Sequence, residues 1–442
     1  MANEVDLILV GGKVILSSST IINNGAVVIK GNKIVDVGNM DKIIERYKAM
    51  EILDRKDSII LPGFTDCHVH TQQMFLRSVI NDKLLPMPPL WTEVLIPFEK
   101  KLTEEEAYYS SLFSLIQMIK SGVTYFLEAG APYPEPLAKA ILDISGSGIV
   151  TKATYDIYKG EKYDVKEIIN ATKALIEKYK ENEHVDVWCS IRQLMMVSDE
   201  LISNLRELCV DRGITYHLGE YQGEVDFSLT KYGMRPLEAM DALKITNIKP
   251  TVIAHGVYLS TEEQRLAKER NLSISWSPTS DSILMGNHWL AFNQYNVNFC
   301  LGSDGGALST LDLLIEAKIA RGVGKSLSVS LVYDKASLTS KALFSALTEN
   351  AGIALNKKIG KIEPGYIANL ITMDVRNLIP LIDPIEGIIS FATGADVKDV
   401  IINGKVVIKD RKFLTINELD IMQRVNDNIL SRVKDKIVEL IK

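Results

Sequence analysis

The run Ile59-Ile60-Leu61-Pro62-Gly63-Phe64-Thr65-Asp66-Cys67-His68-Val69-His70 is a short apolar segment that ends on two histidines. In an extended chain, residues two apart project to the same side. His68 and His70 can therefore reach one cation from a single strand end, and neutral imidazole suits zinc and iron. Three more polar residues close strand-like runs in the same way. His217 comes near the end of Ile214-Thr215-Tyr216-His217-Leu218, and His255 ends Thr251-Val252-Ile253-Ala254-His255. Asp304 closes Val297-Asn298-Phe299-Cys300-Leu301-Gly302-Ser303-Asp304. One polar strand end ordinarily meets solvent. Four strand ends with metal-ligand chemistry point instead to one shared site.

Working outward, strand-like and helix-like segments alternate. Strands are expected at 59–67, 124–129, 149–155, 185–191, 215–218, 251–253, 273–276 and 298–301. Helical patterns are expected at 103–121, 134–145, 165–179, 199–211, 235–246 and 261–270, with a shorter stretch near 288–294 and another helix at 311–320. Thr103-Glu104-Glu105-Glu106 and Thr261-Glu262-Glu263-Gln264 have the spacing of capping boxes. Strict alternation with short β-runs indicates a parallel sheet, and eight units favour a closed (β/α)8 TIM barrel. Active sites of such barrels sit at the C-terminal strand ends, where the histidines and Asp304 fall.

The flanks read differently. Ala26-Val27-Val28-Ile29-Lys30 turns at Gly31-Asn32 into Lys33-Ile34-Val35-Asp36-Val37, and Asp399-Val400-Ile401-Ile402 turns at Asn403-Gly404 into Lys405-Val406-Val407-Ile408. Glycine and asparagine tolerate the positive φ of such turns. Each flank alone buries little surface, so the expectation is a small β-sandwich domain built from both termini. The division of this α/β chain is then 1–58 for the first part of the sandwich, 59–361 for the barrel, 362–415 for the rest of the sandwich, and 416–442 for a C-terminal helix. In that helix Leu419, Met422, Val425, Ile429, Val433 and Ile437 recur at helical spacing, a face for packing on the domain or on a dimer partner.

Bulk properties bound the partners. The 442 residues carry a formal net charge of -6 and are 46% hydrophobic, enough for a large core. That charge argues against nucleic acid as main partner and offers no basic stripe for a membrane surface. The acidic start Met1-Ala2-Asn3-Glu4-Val5-Asp6 has no signal-peptide pattern. The expectation is a cytoplasmic protein acting on a small molecule. Cys67, Cys189, Cys209 and Cys300 are scattered without a C-x-x-C pair, as neither a zinc ribbon nor a disulfide framework would be.

Three histidines and an aspartate from strands one, five and eight make a nitrogen-rich site for one divalent metal with an open position. Zinc is the first expectation, with iron or manganese equally suited by chemistry. Such a cation lowers the pKa of bound water toward neutrality. Glu220, three residues after His217, leaves the strand over the barrel mouth, where a carboxyl can protonate a ring nitrogen as water adds. Asp304 can take the proton of the water and hand it to the leaving group, and His255 can orient the nucleophile or polarise the reacting centre.

The chain resembles the metal-dependent amidohydrolase superfamily, in its subgroup of hydrolytic deaminases and triazine chlorohydrolases. The resemblance rests on Pro62-Gly63-Phe64-x-Asp66-x-His68-x-His70, Lys120-Ser121-Gly122-Val123-Thr124, His217-x-x-Glu220, Ala254-His255-Gly256, Leu301-Gly302-Ser303-Asp304-Gly305-Gly306, and Gly360-x-Ile362-x-Pro364-Gly365-Tyr366-x-Ala368-Asn369-Leu370. It implies a barrel with one catalytic divalent metal on His68, His70, His217 and Asp304, and a homodimer. No lysine lies in 185–193, where two-metal relatives place a carbamylated bridge. Within the subgroup the chain looks most like S-adenosylhomocysteine and methylthioadenosine deaminases. By that resemblance Trp91 stacks on a base, Glu99 holds ribose hydroxyls, and Lys152 and Arg192 touch substrate. The chain departs from many relatives after the seventh strand, with Trp276 where they have histidine and Asp281 where they have asparagine. The arginine often found at position 152 is a lysine. A guanine deaminase and an s-triazine chlorohydrolase or aminohydrolase are the alternatives, and a catalytically inactive scaffold is the distant one.

Overall fold

The computed structural model describes residues 3–286 and 295–440. Eight parallel strands form a barrel: β1 (Phe64–His70), β2 (Val123–Glu128), β3 (Gly148–Val150), β4 (Val185–Val187, continuing as Cys189–Ile191), β5 (Ile214–Leu218), β6 (Thr251–His255), β7 (Ser273–Trp276) and β8 (Asn298–Leu301). Each pairs in parallel with the next. The short continuation Asp304–Gly305 returns to β1, with Asp304 beside Val69 and Gly305 beside His70, and closes the ring. Every residue of β1, β2, β5, β6 and β7 is buried. One face of these strands lines the barrel interior and the other meets helices, which is why they read as continuous apolar runs.

The strand expected over 59–67 divides at Gly63. Ile59 to Pro62 finish the long strand Tyr47–Pro62, which belongs to the terminal sheet, and β1 begins at Phe64. A Cβ on Gly63 would run into Thr124 of the neighbouring strand, so only glycine lets the chain cross from one sheet to the other here.

Helices lie between strands at Glu104–Lys120, Pro134–Ile144, Val165–Tyr179, Asp199–Leu208, Thr261–Glu269 and Leu313–Val332. Thr103 and Glu106 form the expected reciprocal cap. The second capping box starts one residue earlier than its sequence spacing indicated, on Ser260 with Glu263, because Ser260 is the residue left in extended conformation. The helix expected over 235–246 is the shorter Pro236–Ala242 followed by a turn, Ile245–Asn247. Before it lies Gln222–Tyr232, whose buried residues are Glu224, Val225 and Ser228. A buried face that is mostly polar gives no apolar period to read. The stretch 288–294 lies outside the described residues.

Both termini build one eight-stranded sheet, in the order Lys412–Phe413, Lys405–Lys409, Val397–Ile402, Leu370–Asp374, Tyr47–Pro62, Asn3–Ser17, Thr20–Lys30, Lys33–Asn39. The two halves meet where Leu370–Asp374 pairs antiparallel with Tyr47–Pro62. Arg55 clamps that seam, donating to Asp399 from Nε at 2.6 Å and from Nη2 at 2.8 Å. The C-terminal helix runs as Glu418–Arg424, a wider turn Val425–Ile429, and Leu430–Leu440. Val425, Ile429, Val433 and Ile437 are buried as their spacing indicated, but Leu419 is 74% exposed and Met422 40% exposed. The wider turn shifts the register, so the first two residues of the apolar series rotate off the packed face.

The cysteine expectation is corrected in one respect. Cys189 of β4 and Cys209, just after the helix Asp199–Leu208, form a disulfide with Cα atoms 6.3 Å apart. Their partnership arises because that helix packs back on its strand, which spacing alone does not reveal. Among the described residues, no helix is long and apolar enough to cross a membrane.

Candidate active site

His68, His70, His217, His255 and Asp304 converge at the C-terminal mouth of the barrel. β1 supplies the first two, β5 and β6 one each, and the continuation of β8 supplies Asp304. Nε2 of His70 lies 3.1 Å from Nε2 of His217. Oδ1 of Asp304 lies 3.7 Å from Nε2 of both His68 and His70. Zinc–ligand bonds of about 2.0–2.2 Å in a tetrahedron place neighbouring ligand atoms roughly 3.3–3.6 Å apart, so this spacing fits one small cation. The donor set carries a second sign of fit. Nε2 of His68, the ring nitrogen that faces Asp304, is buried with no hydrogen-bond partner, which is costly unless something else binds the cluster. Burial, reinforced by neighbouring positive charge, holds the pKa of His68, His70 and His217 below the usual imidazole range, in the neutral form a ligand needs. Burial alone would raise Asp304, but His68, His255 and His70 outweigh it and keep the carboxylate well below its usual range.

Asp66 sets the register of this arrangement. It accepts from the backbone of His68 at 3.2 Å and of Ser303 at 3.1 Å, and from the Ser303 hydroxyl at 2.5 Å. That one buried side chain ties the first strand to the last, beside three of the converging residues. Asp304 and His255 both have positive φ, 59° and 68°, a strained conformation that surrounding packing must maintain.

Glu220 stands on the turn after β5. Burial raises its carboxyl to a pKa of about 7, with His255 pulling the other way. Gln193 donates to its Oε2, and Glu224 accepts its backbone N–H at 3.1 Å. Nε2 of His255 is 3.9 Å from Oε1 of Glu220, and its Nδ1 is 2.8 Å from Oδ1 of Asp281. Burial opposes charging His255, but Asp281 and Glu220 outweigh it and lift its pKa to about 10. Gln193 and Glu224 belong to no motif in the sequence. Gln193 adjoins Arg192, and Glu224 follows Glu220 at a turn-length offset.

Trp91, Arg192 and Glu220 line an inner cavity of about 30 Å³ together with His70, His217 and the apolar Met87, Leu90 and Leu95. Nε1 of Trp91 and Nη1 of Arg192 are buried there without partners, so two donors await an acceptor. Glu99 stands behind, accepting from Gln73 at 2.8 Å and Arg192 at 3.2 Å. It also faces an outer cavity of about 530 Å³ that holds Lys152. Lys152 thus lies apart from the converging histidines, and burial lowers the pKa of its ammonium. Trp276 is 1% exposed at the end of β7 and packs in the core, outside the lining of either cavity. His184 is held away from the mouth, its Nδ1 2.7 Å from the Gly146 carbonyl.

Residues 59–407 match the model of the amidohydrolase family. The chain is 30% identical over 432 residues to a 5-methylthioadenosine/S-adenosylhomocysteine deaminase of Pyrococcus furiosus, covering 95% of this chain and 99% of that protein. It is also 30% identical over 429 residues to a 5'-deoxyadenosine deaminase of Methanosphaera stadtmanae, covering 95% and 97%. The crystal structure of an adenosine deaminase from Xanthomonas campestris with bound zinc superposes with a TM-score of 0.90 at 22% identity, covering 99% of this chain and 100% of that one. With the match spanning the whole barrel and all four converging strand ends, the chain belongs to the amidohydrolase family.

Proposed function

We propose that the chain removes the amino group of an adenosine-type purine by hydrolysis, using a divalent metal held by His68, His70, His217 and Asp304, with zinc the first choice. The chain is a hydrolytic deaminase, as the relatives that match it from end to end are. The observation that carries the mechanism is a buried Glu220, with a pKa of about 7, beside the converging histidines. When bound, a divalent cation there acidifies water and polarises the carbon under attack.

The protein's own groups do the rest. Water adds to the amino-bearing carbon while Glu220 gives its proton to the adjacent ring nitrogen. Asp304 takes one proton of the attacking water and passes it to the amino group, which leaves as ammonia, and the remaining hydroxyl proton returns to Glu220 as the carbonyl forms. Gln193 holds the second oxygen of Glu220 in place, and His255 stands against the first. The two cavities support a nucleoside-type substrate. The base belongs in the inner one against Trp91, and Glu99 at the boundary suits ribose hydroxyls. Lys152 in the outer cavity suits a polar 5'-substituent. Met87, Leu90 and Leu95 give the inner cavity apolar walls suited to the faces of a base.

The test is ammonia release by metal-quantified protein across adenosine-type nucleosides, purine bases, pterins and s-triazines. Ammonia from the nucleosides is the expected result; ammonia only from guanine or the triazines would overturn the substrate assignment. Glu220→Gln should keep its metal and lose at least roughly 100-fold in kcat, the usual scale of a proton-transfer group. A variant with near wild-type turnover would remove Glu220 from the mechanism.

A further inference from the structure

We propose that Gln73 is a positioning residue for sugar recognition: its amide and the Arg192 guanidinium saturate one oxygen of Glu99, leaving the other as the acceptor for a vicinal diol. Separate elements meet at this point. Gln73 lies on the turn Thr71–Leu76 that follows β1, Glu99 on the helix Ile96–Lys101, and Arg192 directly after β4. All of these side chains are buried. Nε2 of Gln73 donates to Oε1 of Glu99 at 2.8 Å, and Nη2 of Arg192 donates to the same oxygen at 3.2 Å.

A carboxylate offers about four acceptor sites, shared equally by its oxygens. The donors from Gln73 and Arg192 take those of Oε1. Oε2 has no partner among the described residues, and Glu99 lines the outer cavity. The sites left on Oε2 match the hydroxyls of a ribose cis-diol, each of which can donate. With Arg192 as sole partner, the carboxylate could offer it either oxygen. A second donor on the same oxygen decides which one is left over, before any sugar arrives, and such preorganisation strengthens binding. Gln73 is itself held in place. Because a carboxylate only accepts, the amide must turn its nitrogen to Glu99 and its oxygen away. That oxygen lies against Gly305, where a Cβ would come within 2.1 Å of it and displace the amide. The preceding Gln72 fixes the turn on Tyr133, donating to its carbonyl at 2.8 Å and accepting from its N–H at 3.1 Å.

This role rests on the nucleoside deaminase reading, which places the ribose at Glu99. The experiment measures kcat and KM of metal-loaded protein for adenosine and for 2',3'-dideoxyadenosine, which lacks the diol. In the wild type, KM for the dideoxy compound should exceed that for adenosine on the order of tenfold or more, the scale of hydrogen bonds to a charged group. Gln73→Leu should raise KM for adenosine about tenfold and leave KM for the dideoxy compound as it was, so the preference collapses. The sugar lies away from the reacting carbon, so the loss falls on KM and leaves kcat nearly unchanged. A Gln73→Leu protein that keeps the wild-type preference overturns the proposal. So does one in which KM rises equally for both compounds, the mark of a merely structural role. Gln73→Met, unbranched and without a donor, repeats the test if the leucine variant does not fold. Wild-type protein that deaminates both compounds with equal KM overturns the sugar role alone. Wild-type protein that deaminates neither overturns the nucleoside reading, and the role of Gln73 falls with it.

Discussion

Glu220 and Asp304 share one cavity and are driven to opposite protonation states. Burial lifts Glu220 to about 7, whereas neighbouring imidazoles hold Asp304 well below the usual carboxylate range. Separating two carboxyls in this way divides the labour of acid and base. That division is what deamination asks for, a group ready to give a proton and a group ready to take one. Trp91 belongs to the same scale. Its ring packs edge-on against Tyr221, with centroids 6.4 Å apart, and its Nε1 donor has no partner. Stacking of an aromatic side chain on a base contributes about 1–3 kcal/mol. Trp91→Ala should therefore raise KM on the order of tenfold while lowering kcat less. Steady-state kinetics on the preferred nucleoside check this, and an unchanged KM would return Trp91 to a packing role.

At the scale of elements, the seam of the terminal sheet is the junction that makes one domain of two chain ends. Arg55 comes from the N-terminal half and Asp399 from the C-terminal half. Asp399 is fully buried and also accepts from the Thr372 hydroxyl at 2.5 Å. Removing the guanidinium leaves that carboxylate without its charge partner, a loss of about 3–5 kcal/mol for buried pairs. Arg55→Ala should lower the melting temperature by several degrees without altering metal content or KM. Calorimetry beside an activity assay would show it, and an unchanged melting temperature would mean that the seam is held by strand pairing alone. Two elements are not legible in the local sequence. Gln222–Tyr232 hides its inward face behind Glu224 and Ser228, and the strand read over 59–67 spans two sheets. In both places tertiary partners, not the local apolar pattern, decide the structure.

At the scale of the molecule, burial has left several carboxyls far above their ordinary range. Glu128, Glu224 and Glu316 each have a pKa raised to about 8 from 4.5. In the folded chain they stay protonated up to about pH 8, whereas in the unfolded chain they ionise near 4.5. Their stabilising contribution is thus fully present below the unfolded pKa and is lost as pH rises through the folded one. The buried neutral histidines work the other way, but only up to the ordinary imidazole value of 6.5. Between pH 6.5 and about 8, the carboxyls prevail, and the melting temperature of metal-loaded protein should fall. Glu316→Gln should flatten that decline. Differential scanning calorimetry across the window checks both, and a melting temperature that rises from pH 6.5 to 8 would contradict the sign.

The sequence by itself determined the barrel, its closing strands and the four strand ends that carry His68, His70, His217, His255 and Asp304. It did so because parallel strands buried on both faces leave unmistakable apolar runs, each ended by a residue that such a run would not otherwise tolerate. Only the tertiary structure decided what those residues touch. Asp281 stood out in sequence as a departure, and its bond to His255 became visible only when the helix after β7 came beside β6. Lys152, a substrate contact by resemblance, lines an outer cavity together with Glu99. Trp276, where many relatives have histidine, packs in the core. The reason is physical: chain pattern records which residues must be buried, while side-chain partners across 26 residues, as between His255 and Asp281, depend on how separate strands and helices are packed together.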